Sequence, residues 1–388
     1  MTLSLLAPVT TPLTRQHVPP LIGHYTSGDI LLAGASYSLL ARGRRTLTGI
    51  TLDDLPATLA TCLDSDRQTI AAGAITFDGT SCHLTLCDEA LWAGPLSVRA
   101  CSGCGNTNWQ ITPVPAEEDY VKAVQSARDR ITAGDLHKVV LARTLELIGQ
   151  HPVTVPDLLL HLAGRGAHTY AVPLGGQRTL IGASPELLVA RHGRTVTANP
   201  LAGSARRNPA NPRKDRAIAD RLLNSDKDRH EHRLVADAVA AALAPHCDHL
   251  HVPEPTLLAT PTMWHLSTPI SGRLASSAPT SLDLAAILHP TPAVCGTPTD
   301  TAAALIAELE GGMGVERDYY AGLVGWQDAA GDGEWAIALR GAVLDGEHRL
   351  RLYAGAGIIA DSEPASELAE TSAKFLTMLG ALHGRTSR

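Results

Sequence analysis

The sequence predicts an α+β fold in which two large antiparallel sheets pack together with helices outside. Strand-like and helix-like stretches come in blocks, without the regular β-α alternation of a doubly wound sheet. The first hundred or so residues alternate short apolar runs with turn signals, and the long helical patterns come later. A length of 388 residues with 44% hydrophobic content is enough to bury a large core. No repeat, low-complexity tract or linker divides the chain, so residues 1–388 read as one domain: a strand-rich part over 1–115 and a second part over 116–388.

Taken in order, residues 29–38 and 69–77 read as strands. From Glu117 an acidic start leads into a helix with Tyr120, Val124, Ala127 and Ile131 on one stripe, and Gly134 ends it. Residues 137–147 follow as a strand. Val139, Leu141, Leu145 and Leu147 share one face by period two, and Lys138, Val140, Ala142 and Thr144 share the other. A strand pair surrounds 177–189, a strand at 195–201 enters a loop at 203–212 rich in Gly, Ser, Arg and Pro, and a long helix covers about 215–243. Strands at 322–328, 334–344 and 349–354 precede a closing helix at 363–383 that Pro364 begins.

Charge and cysteines narrow the function classes. Only 18% of residues are charged and the formal net charge is −7, so no basic field is available to hold nucleic acid or anionic lipid. A small-molecule partner is expected. The opening MTLSLLAPVTTPL has no basic stretch before an apolar core, and no run of about 18 apolar residues occurs, so a cytoplasmic chain without membrane spans is expected. Seven scattered cysteines do not suggest a disulfide framework. Cys101 and Cys104 form the one pair with metal-ligand spacing, for which Cys82 and Cys87 offer only a loosely spaced complement; His246, Cys247, His249 and His251 read as a solvated turn.

Two helices carry inward-facing acids. In 215–243, Asp228 and Glu231 align with Val235, Ala238 and Ala242, so Glu231 points with the apolar face. In 363–383, Glu367, Glu370 and Lys374 follow the same spacing in line with Met378. Such acids suit Mg²⁺, which takes one or two protein carboxylates plus waters and an anionic substrate. Acids three apart on a helix are more often a solvated face, and periodicity alone leaves both readings open.

The same residues carry a family resemblance. KVVLART (138–144), GASPELLV (182–189), NPLAGSARR (199–207), SDKDRHEH (225–232), LHPTPAVCGTP (288–298), GLVGW (322–326), LYAGAGI (352–358) and SELAETSAKF (366–375) resemble, in order, the chorismate-utilising enzymes. This family includes isochorismate, salicylate, anthranilate and aminodeoxychorismate synthases. A weaker likeness reaches GAITFD (73–78), and residues 1–115 match loosely. The resemblance implies a single chorismate-binding domain, chorismate as substrate and Mg²⁺ as cofactor.

It also implies roles. Lys138 matches the base that activates water, and Glu186 matches the acid that protonates the departing hydroxyl. Glu231 and Glu370 match magnesium ligands, with Asp228 and Glu367 beside them. Arg340 and Lys374 match cations for the substrate carboxylates, Gly355 and Gly357 match backbone that approaches the substrate closely, Gly203 and Ser204 match substrate-binding positions, and His289 matches a histidine on the reacting part of the ring. Within the family, lysine at 138 resembles the water-using members. Anthranilate synthases carry glutamine there and recruit an amidotransferase, so no such subunit is expected here and the chain is expected to be a monomer. Ala202 stands where aminodeoxychorismate synthases carry lysine, and Gly203-Ser204-Ala205 resembles isochorismate synthases of catechol siderophore pathways more than the Gly-Thr-Arg form of salicylate synthases. Isochorismate formation is therefore implied, with salicylate formation as the first alternative and a non-catalytic chorismate-binding subunit as the second; siderophore and menaquinone pathways both draw on isochorismate.

Overall fold

A long strand at Lys138–Gly149 pairs antiparallel with Arg349–Ile358 over most of its length, and the molecule is organised around this pair. It is the computed structural model of the chain, describing residues 21–63, 69–96, 108–276 and 278–382. Cys101 and Cys104, the opening segment and residue 383 of the closing helix lie outside the described residues.

Among the described residues the first sheet has ten strands. It runs from Gly296–Thr297 through Lys138–Gly149, Arg349–Ile358, Gly341–Asp345, Arg178–Ser184 and His168–Pro173 to Ile30–Ala33, Ser38–Arg42 and Glu89–Ala93, with Trp109–Val114 beside Lys138–Gly149. The second has nine, and at its centre Leu187–His192, Gly333–Ile337, Leu323–Asp328 and Ile70–Ile75 lie side by side. A small third sheet holds Leu201–Arg206, Met263–Ser267 and Thr256–Ala259. The pairings in all three are antiparallel, as expected of the α+β class. Strands from the first hundred residues are interleaved with later ones: Ile30–Ala33 pairs His168–Pro173, and Ile70–Ile75 pairs Leu323–Asp328.

Period-two patterning sorts side chains between two environments. Val139 and Leu141 face outward, buried under Tyr120, Val124 and Ile131 of helix Glu117–Thr132 and under Leu305 and Ile306 of helix Thr299–Gly312. On the opposite face Ala142 enters the core between the sheets with Tyr170, Val189, Leu323 and Trp335, and Lys138 is only 1% exposed. The closing helix Pro364–Leu382 places Phe375 and Met378 against Leu147, Ile181 and Leu352 on the outer face of the first sheet. None of the described helices is long and apolar enough to cross a membrane.

Several expected elements divide. Residues 29–38 hold the first strand and the turn of a hairpin, Ile30–Ala33 with Ser38–Arg42. The helix expected over 215–243 is two, Pro212–Leu223 and Asp226–Leu243, because Ser225 caps the second by accepting a hydrogen bond from the Asp228 amide. The strand expected over 334–344 breaks at Arg340, whose φ of 52° is left-handed, and its halves join different sheets. Residues 177–189 likewise divide between the sheets on either side of Pro185-Glu186. Residues 247–251, expected as a solvated turn, form an edge strand of the second sheet. Helix Ser281–Leu288, not anticipated, is held by a reciprocal cap between Thr280 and Asp283.

Candidate active site

The breaks between sheets converge on one cavity, and its chemistry is supplied from several elements. Lys138 is the first residue of its strand, and its Nζ lies 2.8 Å from Glu231 Oε1. The neighbouring strand passes close because residue 357 is glycine: a Cβ there would collide with Glu231 Oε1 and lie 3.0 Å from Lys138 Cε. At Gly355 a Cβ would stand 3.0 Å from the Tyr320 hydroxyl.

Glu186 lies at the crossing between Arg178–Ser184 and Leu187–His192 and is buried, its amide donating to Ser184 Oγ. Burial pushes its carboxyl up to about 7, against the opposing pull of the Leu201 amide, Lys138, Lys374 and Arg340. A carboxyl poised there exchanges protons near neutral pH.

The two acidic helices face the same cavity with Asp228, Glu231, Glu367 and Glu370. Leaving such charges buried and unpaired costs several kcal/mol each, and each glutamate has a lysine within ion-pair reach. Besides Lys138 with Glu231, Lys374 Nζ stands 2.7 Å from Glu370 Oε1 and Lys227 Nζ 3.9 Å from Glu367 Oε1. Glu370 also accepts from Ser204 Oγ at 3.0 Å; burial pushes its carboxyl up, but Lys374 and Ser204 together hold it below the usual range. Glu367 is pushed up to about 7, first by burial and then by Glu370. Asp228 is raised by burial and by its neighbours Glu231 and Glu370. Asp228 and Glu367, raised in part by their acidic neighbours, stand with Glu231 and Glu370 as hard oxygen donors of the kind Mg²⁺ takes. Among the described residues no three acid, His or Cys groups already converge as a ligand cage, and Mg²⁺ held by one or two carboxylates with waters and substrate needs none.

Arg340 lines the same cavity. It is buried, burial lowers the pKa of its guanidinium, and Nη1 has no hydrogen-bond partner among the described residues. Nη2 lies 3.4 Å from His265 Nε2. Because arginine only donates, His265 accepts there and is neutral; burial, then Arg340 and Lys374, keep its pKa well below the ordinary histidine value. Lys374 also donates to the Gly355 carbonyl at 2.7 Å. A buried donor without an acceptor, beside a second cation, suits a ligand carboxylate.

Of the residues expected from sequence, the structure brings Lys138, Glu186, Gly203, Ser204, Asp228, Glu231, Arg340, Gly355, Gly357, Glu367, Glu370 and Lys374 to this one cavity. His289 is not among the lining residues. Its Nε2 bonds the Phe77 carbonyl at 2.8 Å, and burial lowers its pKa to about 4. The adjacent Ala293 and Val294 reach the wall instead, and the histidine in the cavity is His265. Sequence reasoning also missed Lys227 and Tyr320, the latter stacked on Tyr353 with centroids 5.2 Å apart. Lys227 was findable, lying between Asp226 and Asp228 one residue from the acidic stripe. His265 sits in an apolar strand where its hydrogen-bonding role has no sequence signature.

The cavity, with its buried carboxyl and its lysine and arginine donors, lies where the chain crosses between two antiparallel sheets. The chain belongs to the chorismate binding enzyme family, whose pattern matches residues 99–383. It is 44% identical over 393 aligned residues to isochorismate synthase DhbC of Bacillus subtilis, covering 95% of this chain and 97% of that protein. It is 42% identical to isochorismate synthase EntC of Escherichia coli over 269 residues, 69% of this chain and 67% of that protein. The crystal structure of a putative 2,3-dihydroxybenzoate-specific isochorismate synthase, DhbC from Bacillus anthracis, superimposes with a TM-score of 0.88 at 40% identity, covering 94% of this chain and 99% of that one.

Proposed function

We propose that this chain is an isochorismate synthase, converting chorismate to isochorismate by adding water at C2 as the C4 hydroxyl leaves and the ring double bonds shift. One water enters and one leaves, so the reaction is an isomerisation. The observation that carries the reading is that Lys138, a buried amine, and Glu186, a buried carboxyl raised to about 7, line one cavity from separate elements.

In this reading Lys138 takes a proton from water as its oxygen bonds to C2, and Glu186 gives a proton to the C4 oxygen as that bond breaks. Arg340 binds a substrate carboxylate through its free Nη1, with Lys374 beside it. Gly203, Gly355 and Gly357 let backbone approach the ring, and Ser204 orients Glu370. Glu231 and Glu370 would hold Mg²⁺, with Asp228 and Glu367 beside them. When bound, Mg²⁺ supplies positive charge to the substrate carboxylate and to the charge that develops as the hydroxyl departs. Since Glu186 must carry its proton to act, activity falls as pH rises through about 7. Water as nucleophile removes the need for an amidotransferase subunit, and the product suits synthesis of a 2,3-dihydroxybenzoate or salicylate siderophore.

The test is product identity. Purified protein incubated with chorismate and Mg²⁺ accumulates isochorismate; formation of salicylate with pyruvate instead would establish the elimination reaction and reject this assignment.

A further inference from the structure

The strand that carries Lys138 is not paired continuously on the edge facing away from Arg349–Ile358. Lys138 and Val139 pair with Gly296–Thr297, and pairing resumes at Thr144 with Val114. Between them the Val140 amide donates to the Cys295 carbonyl at 2.8 Å, which leaves the Val140 carbonyl and the Ala142 amide on an edge with no strand beside them among the described residues. Both are buried, and buried backbone groups need partners.

Side chains supply them. Glu310, near the end of helix Thr299–Gly312, accepts from the Ala142 amide through Oε1 at 2.7 Å. Arg317 donates from Nη2 to the Val140 carbonyl at 2.6 Å and from Nη1 to the Val294 carbonyl at 2.7 Å. The two side chains bond each other twice, Nε to Oε2 at 2.8 Å and Nη2 to Oε1 at 2.6 Å, and both are almost fully buried. Phe77 covers the guanidinium, 4.2 Å from ring centroid to Cζ. Val140 and Val294 both line the candidate active site.

We propose that the Arg317–Glu310 pair is a positioning element for Lys138: it takes the place of a strand along Val140–Ala142 and ties the lysine's strand to the Ala293-Val294 wall. Neither side chain lines the cavity, so they act through the backbone. Substrate-anchoring Arg340 and Lys374 stand on other elements, so loosening this pair displaces the base without removing the groups that hold the substrate. The inference rests on the proposed role of Lys138.

The experiment compares wild type with Arg317→Lys and Glu310→Gln, measuring kcat and KM for isochorismate formation, thermal unfolding, and amide hydrogen exchange of a peptide spanning residues 138–142. Lysine lacks the fork needed to reach both carbonyls and the carboxylate. Misplacement of a reacting group by about an ångström costs on the order of a hundredfold, so Arg317→Lys is expected to lower kcat by about tenfold to a hundredfold. KM stays within about threefold, because the lost interaction is one made in the transition state. Glu310→Gln keeps an acceptor for the Ala142 amide and gives a smaller kcat loss; it reports on the pair should Arg317→Lys fail to fold. Exchange at 138–142 quickens in both. Folded variants with wild-type kcat, or with a raised KM at unchanged kcat, overturn the inference even if their melting temperatures fall. A wild-type chain that makes no isochorismate overturns the functional reading itself, and the positioning role with it.

Discussion

Replacing Glu186 by glutamine tests whether the buried carboxyl is poised as its surroundings require. In the folded chain its pKa is raised from 4.5 to about 7, first by burial. A carboxyl raised on folding keeps its proton in the native state over a range where the unfolded chain has lost it. The native state then binds more protons than the unfolded one, and stability falls as pH rises across that window. Integrated between pH 5 and pH 8, the shift removes about 2.5 kcal/mol from wild type relative to a chain that cannot ionise there. With an unfolding entropy of about 2.1 cal/mol/K per residue over 388 residues, that is about 3 °C in melting temperature. Glutamine retains an acceptor for the Leu201 amide and has no charge to bury. Calorimetric scans of both proteins at pH 5, 6, 7 and 8 should therefore show the variant gaining about 3 °C on wild type across the series. A difference that stays flat from pH 5 to pH 8 refutes the poised carboxyl. The same variant should lose roughly a hundredfold or more in kcat, the usual contribution of general acid catalysis.

Lys138→Ala should abolish isochorismate formation while circular dichroism shows a folded chain; near-normal turnover would remove Lys138 from the chemistry. Glu231→Gln and Glu370→Gln should each shift the Mg²⁺ titration of activity to higher concentration, by roughly tenfold or more when a liganding charge is lost, and an unchanged titration curve would count against both ligands. Gly357→Ala should leave the fold intact and lower kcat by roughly a hundredfold, since its methyl displaces Glu231 and crowds Lys138; full activity would mean that the close strand approach is dispensable.

Much of the site was legible because it lies on regular elements. Period two put Lys138 opposite Val139 and Leu141, and those two are buried under helices while Lys138 enters the cavity. Period 3.6 aligns Glu231, Glu367 and Glu370 with apolar residues of their helices, and the ordered motifs supply the chemistry that periodicity leaves open. Legibility ended where local sequence is silent about the rest of the fold. Arginine has no turn signature, so the left-handed residue that sends Gly333–Ile337 and Gly341–Asp345 into different sheets looks like mid-strand in the sequence. The Ser225 cap is hidden in the sequence because apolar spacing runs on through it. His289 and His265 both stand beside apolar residues, and only packing reveals that one is held by the Phe77 carbonyl and the other by Arg340. Glu310 and Arg317 look like solvated charges beside a glycine-rich loop; their partners, Val140, Ala142 and Val294, are distant in sequence or invisible as backbone atoms.

The central claim is that water adds to the ring while the original hydroxyl leaves. Chorismate converted by the wild-type chain in ¹⁸O-enriched water, with Mg²⁺ present and the product analysed by mass spectrometry, tests it most directly. The account predicts isochorismate carrying one solvent-derived oxygen, at C2. Isochorismate without the label would mean that the hydroxyl migrates within the substrate, and would contradict the roles given to Lys138 and Glu186.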